Sequence, residues 1–301
     1  MSQIVVLGDV MVDVVARLSG PVAVGSDSPA SVSFGGGGSA ANVAAWLAYA
    51  GAPPVFVGRV GDDARGASAL AELRAAGVDA RLVVDGEHPT GTCVVLVGPG
   101  GERSMLPDPG ANAALAVADM PDSVLAAGGH LHVTGYSLVR PGPRPAALAA
   151  IARAVEAGMS VSVDPSSAAL LGPEFLDLAA GAALLLPNLA EAQALTGMPS
   201  AGSAARALAA RFPEVVVKLG AEGALWTNGG KQERVPAAVA SPGAASPGPA
   251  SLDTTGAGDA FAAGLLAARA RGASPAEALA AGCALAAQAV LTPGARPPPR
   301  S

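Results

Sequence analysis

Along this chain, short runs of valine and leucine are each paired with a longer stretch whose alanines and leucines recur every three to four positions. VVLGDV opens the series. VFVGRVGDD then leads into ARGASALAELRAAG, HLHVTGYSL into PRPAALAAIARAVEAG, and ALLLPN into LAEAQALTG; SVSVDP stands between, and AARALAARF runs into VVVKLG. The apolar runs lack polar alternation, as a parallel sheet covered by helices on both faces requires. The pattern predicts an α/β chain, doubly wound around a mainly parallel sheet. Two segments break the rhythm, roughly residues 13–34 and 85–108. There, alternation and turn signals (LSGPVAVGSDSPASVSF; GTCVVLVGPGGERSML) predict antiparallel strands, the second with a Pro-Gly-Gly hairpin. Being non-contiguous, the two can pair into a small sheet projecting from a core made of residues 1–12, 35–84 and 109–301. The Pro/Ala/Ser-rich residues 235–251 read as a loop with little to pack, expected to move.

Composition narrows the class. The 301 residues are 51% hydrophobic and 14% charged, which excludes a disordered chain. The net charge of −6, with Lys218 and Lys231 the only lysines and no basic cluster, argues against a nucleic-acid partner. Cys93 and Cys283 match no metal or redox spacing and read as small buried hydrophobes in a reducing compartment. The first residues carry no basic cluster and reach an acid at Asp9, the look of a first buried strand rather than a signal peptide, so a cytoplasmic location is expected. The uncharged residues 28–58 are broken by glycines and Pro-Pro, too short an apolar run to span a membrane.

The sharpest chemical signal is DTTGAGD (residues 253–259), followed at once by a helical pattern, AFAAGLLAARARG, that stops at Gly272. Glycines ahead of a helix turn backbone N–H groups toward one point, where the helix adds partial positive charge: an anion cradle. An aspartate there would repel the guest unless it takes a proton from an incoming hydroxyl; the plainer reading of Asp259 is an N-cap. The four glycines at 35–38, ahead of a helix from Ala40 to about Ala50 with Asn42 in its first turn, permit close approach by a ligand or strand, or form a flexible corner. The same stretch satisfies G-x-G-x-x-A (Gly35, Gly37, Ala40), a weak dinucleotide fingerprint whose next strand ends in Gly58-Arg59 rather than in an acid. Asn188 and Glu191 can share one hydrated cation or form a helix cap. Lys218, Gly220 and Gly223 follow a strand and suit a nucleotide edge, though both glycines also suit plain turns. His130 and His132 face the same way on a strand, with no third metal ligand in reach by sequence.

Taken in order, GDVMVD (residues 8–13), GGSAAN (37–42), VGRVGDDARG (57–66), GERSM (101–105), PNLAE (187–191), KLGAEG (218–223) and DTTGAGDAFAAG (253–264) resemble the PfkB, or ribokinase-like, carbohydrate kinases over essentially the whole chain. The resemblance implies a ribokinase-like core with a small β lid formed by residues 13–34 and 85–108. It implies ATP-dependent phosphorylation of a primary hydroxyl on a small sugar, with Asp259 as general base and the Gly256, Ala257 and Gly258 amides as anion hole. Met11, Asp13, Gly37, Gly38, Asn42 and Tyr136 fall at substrate positions. Asn188 and Glu191 match a water-mediated Mg²⁺ site, and Lys218, Gly220, Gly223, Gly258 and Cys283 the ATP site. Asp253 and the Thr255 carbonyl match a monovalent-cation site, for K⁺. Met11, Ser39 and Tyr136 depart from a ribokinase's sugar contacts, and DPSSAAL lacks the arginine of several fructose and sugar-acid kinases. A nucleoside kinase, of adenosine or pseudouridine type, is the alternative, and a non-catalytic sugar-binding protein a remoter one. Finally, both faces of TCVVLV (residues 92–97) are apolar, so a homodimer through the lid is expected, with Val95→Asp breaking it; the alternative is that residues 13–34 cover the outer face.

Overall fold

The computed structural model describes residues 2–239 and 254–298. Nine strands form the large sheet: β1 (Ile4–Leu7), β4 (Val55–Gly61), β5 (Asp79–Asp85), β8 (His130–Thr134), β9 (Ser160–Asp164), β10 (Leu184–Leu185), β11 (Glu214–Lys218), β12 (Ala224–Thr227) and β13 (Gln232–Val235). Their spatial order is β13-β12-β11-β10-β9-β8-β1-β4-β5, parallel from β5 to β11 and antiparallel for β12 and β13. The chain therefore winds outward both ways from β1. The helices are α1 (Ser39–Tyr49), α2 (Ala64–Ala75), α3 (Gly135–Val139), α4 (Arg144–Glu156), α5 (Phe175–Leu178), α6 (Leu189–Thr196), α7 (Ala201–Ala209), α8 (Ala257–Ala270) and α9 (Pro275–Val290).

Two apolar layers, one on each sheet face, account for the uninterrupted strands. Val6 and Leu184 pack with Trp46, Phe261 and Leu279 on one side, while Val5, Leu7, Leu131 and Val163 pack with Ile151, Phe175 and Leu208 on the other. His130 and His132 serve the sheet rather than a metal. Their rings bond the Ser160 and Ser162 hydroxyls at 2.6–2.8 Å, and burial pushes both down to about 3, so they are neutral. No group of three or more potential metal ligands occurs among the described residues.

The second sheet has four strands in the order β3-β2-β6-β7: β2 (Met11–Leu18), β3 (Ala30–Gly37), β6 (Thr92–Val97) and β7 (Arg103–Asp108). It begins at Met11 and runs on to Gly37, beyond the expected 13–34, because the glycine run continues the ladder against Met11, Val12 and Asp13. Asp85 closes β5 of the large sheet instead. The hairpins β2–β3 and β6–β7 are antiparallel as expected, but β2 and β6 join in parallel.

Pairing registers place Asp13, Cys93, Val95 and Pro107 on one face and Phe34, Val14, Val94 and Leu106 on the other. The expectation for Val95 is corrected: it is 2% exposed on the face that carries Asp13, whereas Phe34 is 74% and Leu106 55% exposed on the outer face. Residues 13–34 do not cover that outer face, because they extend the sheet edgewise.

The glycine run also finds its cause. At Gly36 a side chain would collide with the Arg296 guanidinium, and at Gly37 with the Asp13 carboxylate. The dinucleotide reading falls with this placement, since Gly35 and Gly37 lie in an antiparallel ladder and Arg59 is engaged by Asp85 (3.2 Å), Asp119 (3.6 Å) and the Ala114 carbonyl.

Candidate active site

The adjacent parallel strands β1, β8, β9, β10 and β11 deliver their carboxyl ends to one place, where an open α/β sheet receives its ligands. Asp9 follows β1, Tyr136 follows β8, Asp164 ends β9, Asn188 follows β10 and Lys218 ends β11, and all of them line one cavity of about 400 Å³. The four-stranded sheet roofs it with Met11, Asp13, Cys93, Arg103, Met105 and Pro107, and α8 brings Gly256, Gly258 and Asp259.

Gly256 sits at φ 73, a left-handed turn that brings the start of α8 to the cavity wall. The segment ending in Ala295, itself held by Trp46 Nε1 at 2.9 Å, fills the space where a Gly256 side chain would go. Of the expected anion-hole residues, Gly256 and Gly258 line the cavity; Ala257 does not, and its N–H turns back to the Thr254 carbonyl at 3.3 Å.

Asp259 is held from both sides. Ser39 Oγ donates to Oδ1 at 2.8 Å and Asn42 Nδ2 to Oδ2 at 2.9 Å, while Asn42 Oδ1 is buried and has no hydrogen-bond partner among the described residues. Desolvation raises the Asp259 pKa to about 7 against the opposing pull of those donors and of Lys218. Lys218 Nζ donates to Asp164 at 2.5 Å and lies 3.6 Å from the place a Gly258 side chain would occupy, beside the mouth of α8. Burial favours its neutral amine, yet the Asp164 and Glu191 carboxylates outweigh this and raise its pKa.

Asn188 and Glu191 satisfy both readings at once. They form a complete capping box for α6: Asn188 Oδ1 accepts from the Glu191 N–H at 2.9 Å, and Glu191 Oε2 from the Asn188 N–H at 2.8 Å. They also line the cavity next to Asp164, and burial lifts Glu191 to about 7. Buried acids without a protein-built cage suit a cation that keeps its waters, as Mg²⁺ does.

On the roof, Asp13 is buried and raised to about 6 by desolvation, opposed by the nearby Arg296 guanidinium. Arg296 is itself fixed by the Gly37 carbonyl at 2.9 Å and Glu72 at 3.4 Å. Met11, Gly38, Asn42 and Tyr136 line the cavity, whereas Gly37 stands behind Asp13. Burial and surrounding carboxylates push the Tyr136 phenol well up, so it stays a donor.

Three expected ATP contacts do not reach this cavity. Gly220 (φ 58) and Gly223 (φ 91) shape a tight turn after β11, and Cys283 is packed into the core from α9. Asp253 lies outside the described residues, so only Thr255 of the monovalent-cation pair is placed, at the cavity wall. Missing from the expectation are Asp9, Asp164, Arg103 and Arg140, all of which line the cavity. Asp9 fastens the start of α1 through the Ser39 N–H at 3.0 Å, and Arg103 crosses from the roof to the Thr254 and Thr255 hydroxyls.

A carboxylate poised near neutrality beside a helix N-terminus, an ammonium and paired buried acids defines a phosphoryl-transfer site of the sugar-kinase type. Family comparison agrees: the profile of the pfkB family of carbohydrate kinases matches residues 1–301, and the chain belongs to that family. It is 34% identical over 275 residues to the ATP-dependent ribose-1-phosphate kinase of Halopiger xanaduensis, covering 89% of this chain and 84% of that one. The crystal structure of adenosine kinase from Sinorhizobium meliloti superposes with a TM-score of 0.85 at 28% identity, covering 98% and 96% of the two chains. An E. coli structure holding ATP and Mg²⁺ does so with a TM-score of 0.84 at 25% identity, covering 98% and 94%.

Proposed function

We propose that the protein transfers the γ-phosphoryl group of ATP to a primary hydroxyl of a small sugar or sugar derivative, with Asp259 as general base. The observation that carries this is Asp259 itself, held by Ser39 and Asn42 in the first turn of α8 with a pKa of about 7. A base matched to neutral pH takes the hydroxyl proton as the P–O bond forms. Neutralised by that proton, it no longer repels the incoming group. The Gly256 and Gly258 amides and Lys218 face the equatorial oxygens, where fixed dipoles and charge stabilise what develops in transfer. Asn188 and Glu191 would hold a hydrated Mg²⁺, which would supply positive charge to the ATP phosphates. Asp13 and Asn42 Oδ1, which has no partner among the described residues, accept from the acceptor's other hydroxyls and fix its orientation.

Thr255, at the cavity wall, supports the monovalent-cation site that the family resemblance implies, for K⁺. ATP as donor, together with two free buried cysteines, supports a cytoplasmic location; no helix among the described residues is long and apolar enough to cross a membrane. The exposed outer face of the roof, with Phe34, Val32, Val94 and Leu106, supports a homodimer in which two roofs meet. A nucleoside acceptor is the second reading, favoured by the apolar Met11, Cys93 and Leu115 on the cavity wall, against which a base can pack. The test is ADP release with sugars, sugar phosphates, sugar acids and nucleosides. Acceptor-dependent release is expected, and its absence across the panel overturns the reading.

A further inference from the structure

The cavity holds a cation that none of the chemistry above uses. Arg140 lines it, half-buried, at the end of α3. Five carboxylates share the cavity (Asp9, Asp13, Asp164, Glu191 and Asp259), yet Arg140 forms no ion pair or side-chain hydrogen bond among the described residues. The other two cations are engaged, Lys218 by Asp164 and Arg103 by the threonines ahead of α8.

Arg140 is nonetheless held in place. Arg144 donates to the Leu138 and Val139 carbonyls at 2.7 and 2.9 Å, pinning the end of α3, and the Arg140 N–H reaches the Tyr136 carbonyl at 3.3 Å. Its guanidinium rests 6.0 Å from the Tyr136 ring centre, near enough for the ring to orient it. A guanidinium so fixed presents paired N–H groups that match the two oxygens of a carboxylate or phosphate. α3 issues from β8, whereas Lys218 ends β11, is drawn to Asp164 at the end of β9 and stands beside the start of α8. With Lys218 and the start of α8 assigned to the ATP phosphates in the proposed function, Arg140 is the cavity cation left for the acceptor.

We infer that Arg140 binds an anionic oxygen group on the acceptor, other than the hydroxyl that Asp259 deprotonates. The substrate is a sugar phosphate or sugar acid rather than a neutral sugar or nucleoside. This rests on the kinase reading and sharpens it. A site with a positioned guanidinium rejects the uncharged analogue, because its donors are then left unpaired.

The test measures kcat/KM with ATP and Mg²⁺ on matched pairs: ribose and ribose 1-phosphate, fructose and fructose 1-phosphate, glucose and gluconate. The wild-type protein is expected to favour the charged member of at least one pair by tenfold or more, and which pair responds separates phosphate from carboxylate. Arg140→Gln is expected to erase that preference by about ten- to a hundred-fold, mainly through KM, as loss of a charged hydrogen-bond partner does. Arg140→Lys should restore part of it. Thermal unfolding of each variant controls for folding, and if Arg140→Gln fails to fold the Lys variant carries the test through a smaller loss of preference. Preference for the neutral member in every pair, or a preference unmoved by either folded variant, overturns the inference and leaves the kinase intact. No acceptor-dependent ADP release with any pair or any nucleoside overturns both.

Discussion

Replacing Asp259 by Asn removes the base while preserving its shape, and the structure predicts opposite effects on activity and stability. The substituted amide can still accept from Asn42 through its oxygen and donate to Ser39 through its NH₂, so the two anchors at 2.8 and 2.9 Å are kept in outline. Loss of a general base lowers turnover by ~10²–10⁴. Stability moves the other way. Burial raises the folded-state pKa from 3.8 to about 7, so the folded protein holds a proton that the unfolded chain releases, and stability falls as pH rises between those values. At about 1.4 kcal/mol per unit, the cost of ionised Asp259 grows from near zero at pH 4 to an upper bound of about 4 kcal/mol above pH 7. Solvent at the cavity mouth brings this nearer 2 kcal/mol. The neutral amide escapes that cost. The ligand-free variant should melt roughly 4–8 °C above the wild type at pH 8, at about 2–4 °C per kcal/mol, and level with it at pH 4. Calorimetry at both pH values with steady-state ADP release reads both effects. Turnover within a few-fold of wild type, or a Tm gain equal at both pH values, would refute the reasoning.

The kcat/KM of the wild-type protein should be flat above pH 8 and fall with a limb near 7, where Asp259 takes up its proton, rather than near 4 as for an ordinary carboxylate; a pH–rate profile reads it. Hydrogen exchange in residues 85–108 should slow when sugar and nucleotide saturate the cavity, because Arg103 and Met105 roof it from β7; identical protection with and without ligands counts against a closing roof. Sedimentation at micromolar protein should give a dimer that Phe34→Asp converts to folded monomer, since Phe34 is 74% exposed on the outer face. A wild-type monomer would remove the interface.

The core strands were legible because a sheet buried on both faces leaves an uninterrupted apolar run, and the α8 cradle because DTTGAGD places glycines and an acid directly ahead of a helical pattern. What escaped was the particular bonding between distant segments. Ser39 meets Asp259 across 220 positions, and Arg103 meets Thr255 across 152, separations no local pattern reveals. The two hairpins were expected to pair into one small sheet, but the parallel sense of the β2–β6 junction, between strands about eighty residues apart, was not announced by the turn signals. The glycines at 36 and 37 announced a close approach without naming the guest, which proves to be Arg296 and Asp13 of the chain itself. Asn188 and Glu191 looked like either a cap or a cation site because one geometry does both. Arg140 gave no signal, since a single arginine after a short helix is ordinary until the cavity wall is seen.

The most direct test of the central claim is where the phosphoryl group goes. With ATP, Mg²⁺ and an acceptor that supports ADP release, phosphorus–proton correlation NMR of the product should show the new ester on a CH₂–O carbon, formed in equal amount with ADP and absent with Asp259→Asn. ADP accompanied only by inorganic phosphate, at a rate indifferent to the acceptor and to Asp259, would contradict the account.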